Sequence, residues 1–101
     1  MSIKLLILKS YEDVVADVKE MFYGDKVVGY ILNNPFVVRL ENGTEELPAR
    51  ASFYPYAPLS KDKSITIPCD WVVSIVEPLD EVKTSYMEKF NAEPENSNSE
   101  E

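Results

Sequence analysis

Histidine is absent from the 101-residue sequence, and cysteine occurs once, at Cys69. Without histidine the chain lacks the commonest general acid–base group, Ser-His and Cys-His dyads, and the commonest metal ligand. Cys69 has no disulfide partner within the chain, and the neighbouring Asp70 disfavours its thiolate. We therefore expect a non-enzymatic protein without a metal or cofactor, in a reducing intracellular compartment such as the cytoplasm.

Glycine and long apolar runs are scarce as well. None of the three glycines stands in a G-x-G or G-x-x-x-x-G-K pattern, so no nucleotide-cradling loop is expected. The apolar stretch Ile3–Leu8 is short, and charged residues follow it closely, which argues against a signal peptide. No apolar run approaches the roughly 20 residues that span a bilayer, so no contact with a membrane is expected.

Acidic residues outnumber basic ones by 18 to 10, which gives a net charge of −8. Half of this charge, −4, comes from Glu93, Glu95, Glu100 and Glu101, so the rest of the chain carries the other −4. An acidic body argues against sequence-independent binding of a phosphate backbone, which needs a basic field. A small local nucleic-acid site remains compatible with this charge.

Short stretches rich in branched and aromatic residues predict a mainly β fold. The predicted strands are Ile3–Lys9, Asp13–Phe22, Lys26–Leu32, Phe36–Glu41, Ser64–Ile67 and Trp71–Glu77. The second strand alternates at period two, which predicts one buried face; that face carries Val14, Ala16, Val18 and Phe22. A helical spacing fits part of this segment too, but its valine content and flanking turns favour a strand.

Turn residues separate the predicted strands. Gly24-Asp25 predicts a hairpin turn, because glycine accepts the positive φ that tight turns require. Asn33-Asn34-Pro35 predicts a bulge or sharp bend within a longer strand. The polar segment 42–52 reads as a loop, and the two prolines in Phe53–Pro58 predict an edge strand or an extended crossing segment.

A helix and a tail are predicted after Pro78. The helix spans residues 79–91, and its apolar face carries Leu79, Val82, Tyr86 and Phe90. Residues 92–101 consist mainly of Glu, Asn and Ser and are predicted to be disordered. The predicted organisation is therefore a β-barrel domain at 1–78, a helix at 79–91 and an acidic tail at 92–101.

Two predicted strands, Lys26–Leu32 and Trp71–Val76, are apolar on both faces. A single thin sheet cannot bury both faces of every strand, and its edge strands expose unpaired backbone groups. Pairing an edge strand with the next copy resolves both problems, and repetition of that contact closes a ring. We therefore expect a cyclic homo-oligomer.

With this strand plan the chain resembles the Sm-like family, and within it most closely the small Sm-like proteins of marine cyanophages. The first Sm motif resembles residues Ile3–Glu41, with a strand at Val14–Val18 and another that ends at Phe36–Glu41. The second motif, Ile-Arg-Gly-Asn-x-Val in the family, resembles Ile67–Val72. The resemblance implies a strongly bent five-stranded antiparallel barrel, here with a C-terminal helix, and rings of five to seven subunits.

The resemblance also implies a single-stranded RNA site in two turns. The positions nearest to the family's RNA-contacting residues are Asp25, Lys26, Asp70 and Trp71. The sequence departs from the family at Pro68-Cys69, which stands where the family has Arg-Gly, and at Ala16, which replaces a glycine. If the protein is encoded by a phage, the resemblance places it in the host cytoplasm.

Two functions remain open at this point. The leading hypothesis is a ring-forming protein with an RNA-binding or RNA-processing role. The alternative is a scaffold that binds another protein through the ring face or the helix.

Two further observations bear on the choice between these functions. Several aromatic residues suit either base stacking or a core or subunit interface, and three lysines near turns are potential phosphate contacts. These are Phe53, Tyr54, Tyr56 and Trp71, and Lys26, Lys61 and Lys63.

Overall fold

A computed structural model describes residues 1–41 and 50–98, with side chains up to Lys89. Its strands are β1 Ile3–Leu8, β2 Asp13–Tyr23, β3 Lys26–Glu41, β4 Arg50–Pro55, β5 Ser64–Pro68 and β6 Val72–Val76. A 3₁₀ turn at Cys69–Trp71 separates β5 from β6, and helix α1 spans Asp80–Asn98. Most of the predicted loop at 42–52 lies outside the described residues, and its last three residues belong to β4.

The strands form one antiparallel sheet in the order β4-β3-β2-β1-β6. Strand β5 also pairs with β3, and because β2 occupies one side of β3, β4 and β5 lie end to end along its other side. The six strands therefore fill five positions in a strongly curled half-barrel. The predicted mainly β fold, with five bent antiparallel strands and a C-terminal helix, is confirmed.

The sheet bends where β2 and β3 cross their predicted irregularities. Val15 pairs with Phe36 and Asp17 pairs with Asn33, so the register shifts between them. Asn34 adopts a positive φ of 52° at this point, a conformation that asparagine tolerates better than most residues. The predicted bulge at Asn33-Asn34-Pro35 is confirmed, and β3 continues through it as one strand of 16 residues.

The bent sheet carries a buried cluster on each face. The inner cluster fills the half-barrel and contains Leu6, Leu8, Val14, Ala16, Val18, Leu32, Val37 and Ile67. The outer cluster lies on the opposite face and contains Ile3, Val15, Phe36 and Tyr86. Val14, Ala16 and Val18 thus share the predicted face, but the prediction was wrong for Phe22, whose side chain is 56% exposed.

Helix α1 covers the outer cluster through Tyr86, which is fully buried. The ring of Tyr86 meets that of Phe36 edge to face at 6.1 Å, and its hydroxyl donates a 3.0 Å hydrogen bond to the carbonyl oxygen of Asn33. Leu79, predicted on the packed face, instead precedes the helix and is 69% exposed. Helix α1 also continues through residues 92–98, which the sequence predicted as part of the tail.

Candidate functional site

The four predicted site residues lie in or directly after two turns at one end of the half-barrel. Asp25 follows Gly24, whose φ of 66° makes the tight β2–β3 turn possible, and Lys26 begins β3. Asp70 and Trp71 belong to the 3₁₀ turn. Asp25, Lys26 and Asp70 are exposed, and the Trp71 side chain is 40% exposed.

Close packing of β5 on β3 holds the two turns at the same end. Gly29 pairs with Pro68, the residue directly before the 3₁₀ turn. A Cβ atom at Gly29 would lie 2.7 Å from the carbonyl oxygen of Ile67, so only glycine permits this approach. Lys26 lies three residues before Gly29 along β3, roughly 10 Å at the rise of a strand.

Two exposed aromatic residues stand beside Lys26. Tyr23 pairs with Lys26 across the β2–β3 hairpin and is 81% exposed, and Phe22 precedes it. Neither was predicted as a site residue. The difference in strand length was the available signal: β1 pairs with β2 only as far as Asp17, and no other described strand pairs with the end of β2 on that side. We call Phe22, Tyr23, Asp25, Lys26, Asp70 and Trp71 the tip surface.

The tip surface combines aromatic rings with a slightly acidic charge. Asp25 and Asp70 contribute two negative charges and Lys26 one positive charge, so its formal charge is −1. The β1–β2 turn adds Tyr11, 95% exposed at a φ of 69°, and the Lys9 amide donates a 2.9 Å hydrogen bond to the carbonyl oxygen of Trp71. This end of the molecule can stack planar groups but attracts phosphate weakly.

The other aromatic residues considered for stacking do not join Trp71. Phe53 packs against the outer cluster, whereas Tyr56 packs against the inner one. The Tyr54 ring lies 5.3 Å from the guanidinium carbon of Arg39, which is a cation–π distance. A common platform of these four aromatic residues is therefore not formed.

Tyr56 also lines a groove beside the bend of β3. The groove has a volume of about 420 Å³, and Lys61 and Lys63 lie along it. Burial and, to a lesser extent, the charge of Glu12 raise the pKa of the Tyr56 hydroxyl above its ordinary value. The neutral phenol therefore persists across the physiological pH range.

Both lateral edges of the half-barrel are open in the described part of the chain. Strand β6 pairs with β1 alone, and β4 and β5 pair with β3 alone. The β6 edge exposes Val73 at 62%, Val76 at 41% and Ile75 at 37%. This edge presents unpaired backbone groups next to apolar side chains, the usual requirements for strand pairing with another chain.

Nowhere within residues 1–41 and 50–98 do three or more His, Cys, Asp or Glu side chains form a group that could hold a metal ion. None of the helical segments in those same ranges is long and apolar enough to cross a membrane. The sequence matches no protein-family model and no curated protein.

Proposed function

We propose that this protein is a non-enzymatic, ring-forming Sm-like protein that binds single-stranded RNA. The observation that carries the proposal is the half-barrel with two open edges, one of them lined by exposed valine and isoleucine. Such edges are normally protected by charges, prolines or a covering element. Val73 and Ile75 offer no such protection.

The position of the two edges is compatible with a ring. One edge is β6 and the other is formed by β4 and β5, so a contact between them is heterologous. Repetition of a heterologous contact produces a closed ring or an open filament, according to the rotation between copies. A closed ring of five to seven subunits is what the resemblance to Sm-like proteins implies.

The tip surface supports the RNA-binding part of the proposal. Phe22, Tyr23 and Trp71 provide exposed rings on which bases stack, and Lys26 provides one phosphate contact. A ring multiplies these contacts, because each copy contributes its own tip surface to the same strand. Stacking rather than charge would therefore carry most of the affinity.

The charge of the tip surface favours a second candidate function, a scaffold that binds another protein. Asp25 and Asp70 give this surface a formal charge of −1, and the acidic chain adds no basic field. Exposed aromatic residues such as Phe22 and Tyr23 are also typical of the centre of protein–protein interfaces. The two functions share the ring and differ in the ligand.

Light scattering after gel filtration tests the ring. The wild-type protein is expected at five to seven times the chain mass of 11.5 kDa. The substitutions Val73→Lys and Ile75→Lys together place charges on the β6 edge and are expected to yield a folded monomer. Tyr11→Lys is the matched control, because Tyr11 is 95% exposed in the β1–β2 turn, outside the strands that form the two edges. A wild-type monomer contradicts the ring.

Titration with labelled oligo-U and oligo-A at low and moderate salt tests the RNA ligand. We expect binding that weakens about tenfold in Trp71→Ala, since stacking contributes roughly 1–3 kcal/mol per base. Thermal melting of the same variant separates lost binding from lost folding. No signal at roughly 50 µM protein and low salt, within the range of nonspecific binding, would leave the protein scaffold as the function.

A further inference from the structure

The edge formed by β4 and β5 is interrupted by more residues than the fold requires. Phe36 pairs with Pro55 and Asn33 pairs with Ser64, so only Asn34 and Pro35 on β3 stand opposite the interruption. Eight residues, 56–63, fill this gap on the other side. Two would suffice for a continuous strand. The extra residues form a loop that leaves the edge and returns to it.

Hydrogen bonds hold this loop in place at both ends. The Tyr56 amide donates to the carbonyl oxygen of Pro35 at 3.1 Å, and the Asn34 amide donates to that of Lys63 at 2.7 Å. Within the loop, the Asp62 amide donates to the Ser60 hydroxyl at 3.0 Å. A site fixed in this way loses less conformational entropy on binding than a flexible loop.

The loop and the bend of β3 enclose the groove of about 420 Å³. Its walls combine the tyrosine ring with proline rings from both strands and from the loop; these residues are Pro35, Pro55, Tyr56 and Pro58. The volume lies within the range of small-molecule sites, which is about 300–1,000 Å³. The flat tyrosine ring and the apolar proline rings around it suit a planar ligand group.

The charge of the groove is opposite to that of the chain. Lys61, Asp62 and Lys63 are its charged lining residues among those described, which gives +1 on a chain of −8. The tip surface, by contrast, carries −1. Glu12, whose charge reaches the Tyr56 hydroxyl, adds a negative charge at the tyrosine end, so the groove attracts an anionic group at its lysine end.

We propose that this groove binds a nucleotide, with the phosphate at Lys61 and Lys63 and the base against Tyr56 and the neighbouring prolines. The ligand chemistry is a planar base joined to a phosphate, whether free or within a single strand. The groove lies at the opposite end of β5 from the 3₁₀ turn, so it is distinct from the tip surface. The proposal requires neither the ring nor an occupied tip surface.

The test is a titration of the full chain with uridine and adenosine 5′-monophosphates, inorganic phosphate and oligo-U, followed by the amide chemical shifts of residues 56–63. We expect the nucleotides to bind more tightly than phosphate and to shift these amides. Tighter binding of oligo-U than of uridine monophosphate identifies a strand as the source, and equal binding identifies the free nucleotide. Phosphate that binds as tightly as both nucleotides overturns base recognition.

Two sets of variants locate the site. Lys61→Gln with Lys63→Gln is expected to weaken nucleotide binding about tenfold. For oligo-U it should also lower the slope of log affinity against log salt by about 0.7 for each phosphate contact. Lys19→Gln, an exposed lysine on β2 away from the groove, is the matched control and should bind as wild type.

Lys26→Gln and Trp71→Ala separate this proposal from the tip surface. If they abolish oligo-U binding while the Lys61 and Lys63 variant binds normally, the groove proposal fails and the RNA function stands. If the reverse holds, the groove proposal stands and the tip surface is not the site. Shifts at residues 56–63 induced by a proline-rich peptide, with none induced by nucleotides, would overturn the nucleotide in favour of a peptide.

Discussion

The outer face of the sheet and the edge at β6 carry similar apolar residues, but those on the outer face are buried and those at the edge are exposed. On the outer face, Val15 and Phe36 are buried because α1 places Tyr86 against them. At the β6 edge, Val73 and Ile75 remain exposed. The chain's own helix thus covers an apolar face at Val15 and Phe36, not at the two strands that were predicted to be apolar on both faces, and the argument for assembly depends on the edges.

The largest expected effect comes from breaking the covered side. Tyr86→Ala removes a fully buried ring from the outer cluster and should lower the free energy of unfolding by about 4 kcal/mol. Urea denaturation measures this loss. Tyr23→Ala, on the tip surface, is the control. Tyr23 is 81% exposed, so removal of its ring should lower the free energy of unfolding by less than about 0.5 kcal/mol. A loss of stability in Tyr86→Ala as small as that expected for Tyr23→Ala would mean that packing of α1 on the sheet adds no stability.

A smaller loss of stability is expected at the close contact between β3 and β5 that supports the tip surface. Gly29→Ala places a Cβ atom 2.7 Å from the Ile67 carbonyl oxygen, which forces β5 away from β3 and should cost about 2 kcal/mol. Gly24→Ala is the matched control: its Cβ meets no atom within 4 Å, and only the positive φ opposes it, at about 1 kcal/mol. Thermal melting compares the two. A smaller loss at Gly29 than at Gly24 would contradict the tight approach.

Sequence patterns predicted the fold better than the exposure of its parts. Alternation in β2 and turn residues at Gly24 and Asn34 are local signals, and the strands that they predicted are present. The exposure of Phe22 depends on where β1 ends, which is a long-range property that alternation does not contain. For the same reason the sequence did not predict the aromatic neighbours of Lys26. It placed Asp70 in a turn but began a strand at Trp71, which belongs to the 3₁₀ turn in the structure.

The sequence did not predict the groove either, because the groove also depends on long-range strand pairing. The prolines around Tyr56 correctly predicted an edge position, since proline cannot donate to a ladder. That β5 continues β4 along β3 depends on pairing partners more than thirty residues apart, such as Asn33 and Ser64. The sequence therefore identified Lys61 and Lys63 as potential phosphate contacts near a turn but did not predict the cavity that they line.

A modest gain in stability is expected from a substitution at Tyr11, in the exposed turn between β1 and β2. This residue is 95% exposed and has a φ of 69°, so its side chain adds little packing while its backbone is strained. Tyr11→Gly should raise the free energy of unfolding by about 0.5–1 kcal/mol, because the relief of strain exceeds the added entropy of the unfolded chain. Chemical denaturation measures the gain. A loss of stability would show that the Tyr11 ring packs against its own chain.

The smallest expected effect concerns the ion pair between Lys4 on β1 and Glu77, which follows β6 at the open edge. A hydrogen bond from Lys4 and the charge of Lys4 lower the pKa of the Glu77 carboxyl below its ordinary value. A carboxyl whose pKa is lower in the folded state stabilises the fold above its unfolded pKa, near pH 4, and that contribution is lost as the pH falls through the folded pKa. Glu77→Gln should therefore be slightly less stable than wild type at pH 7, and the difference should vanish at acidic pH.

Unfolding curves from pH 7 to pH 3 at low and high salt measure this difference in stability. Because the carboxylate is exposed, salt should reduce the difference at neutral pH. A difference that persists at acidic pH would assign the effect of the substitution to packing at the edge rather than to the ion pair.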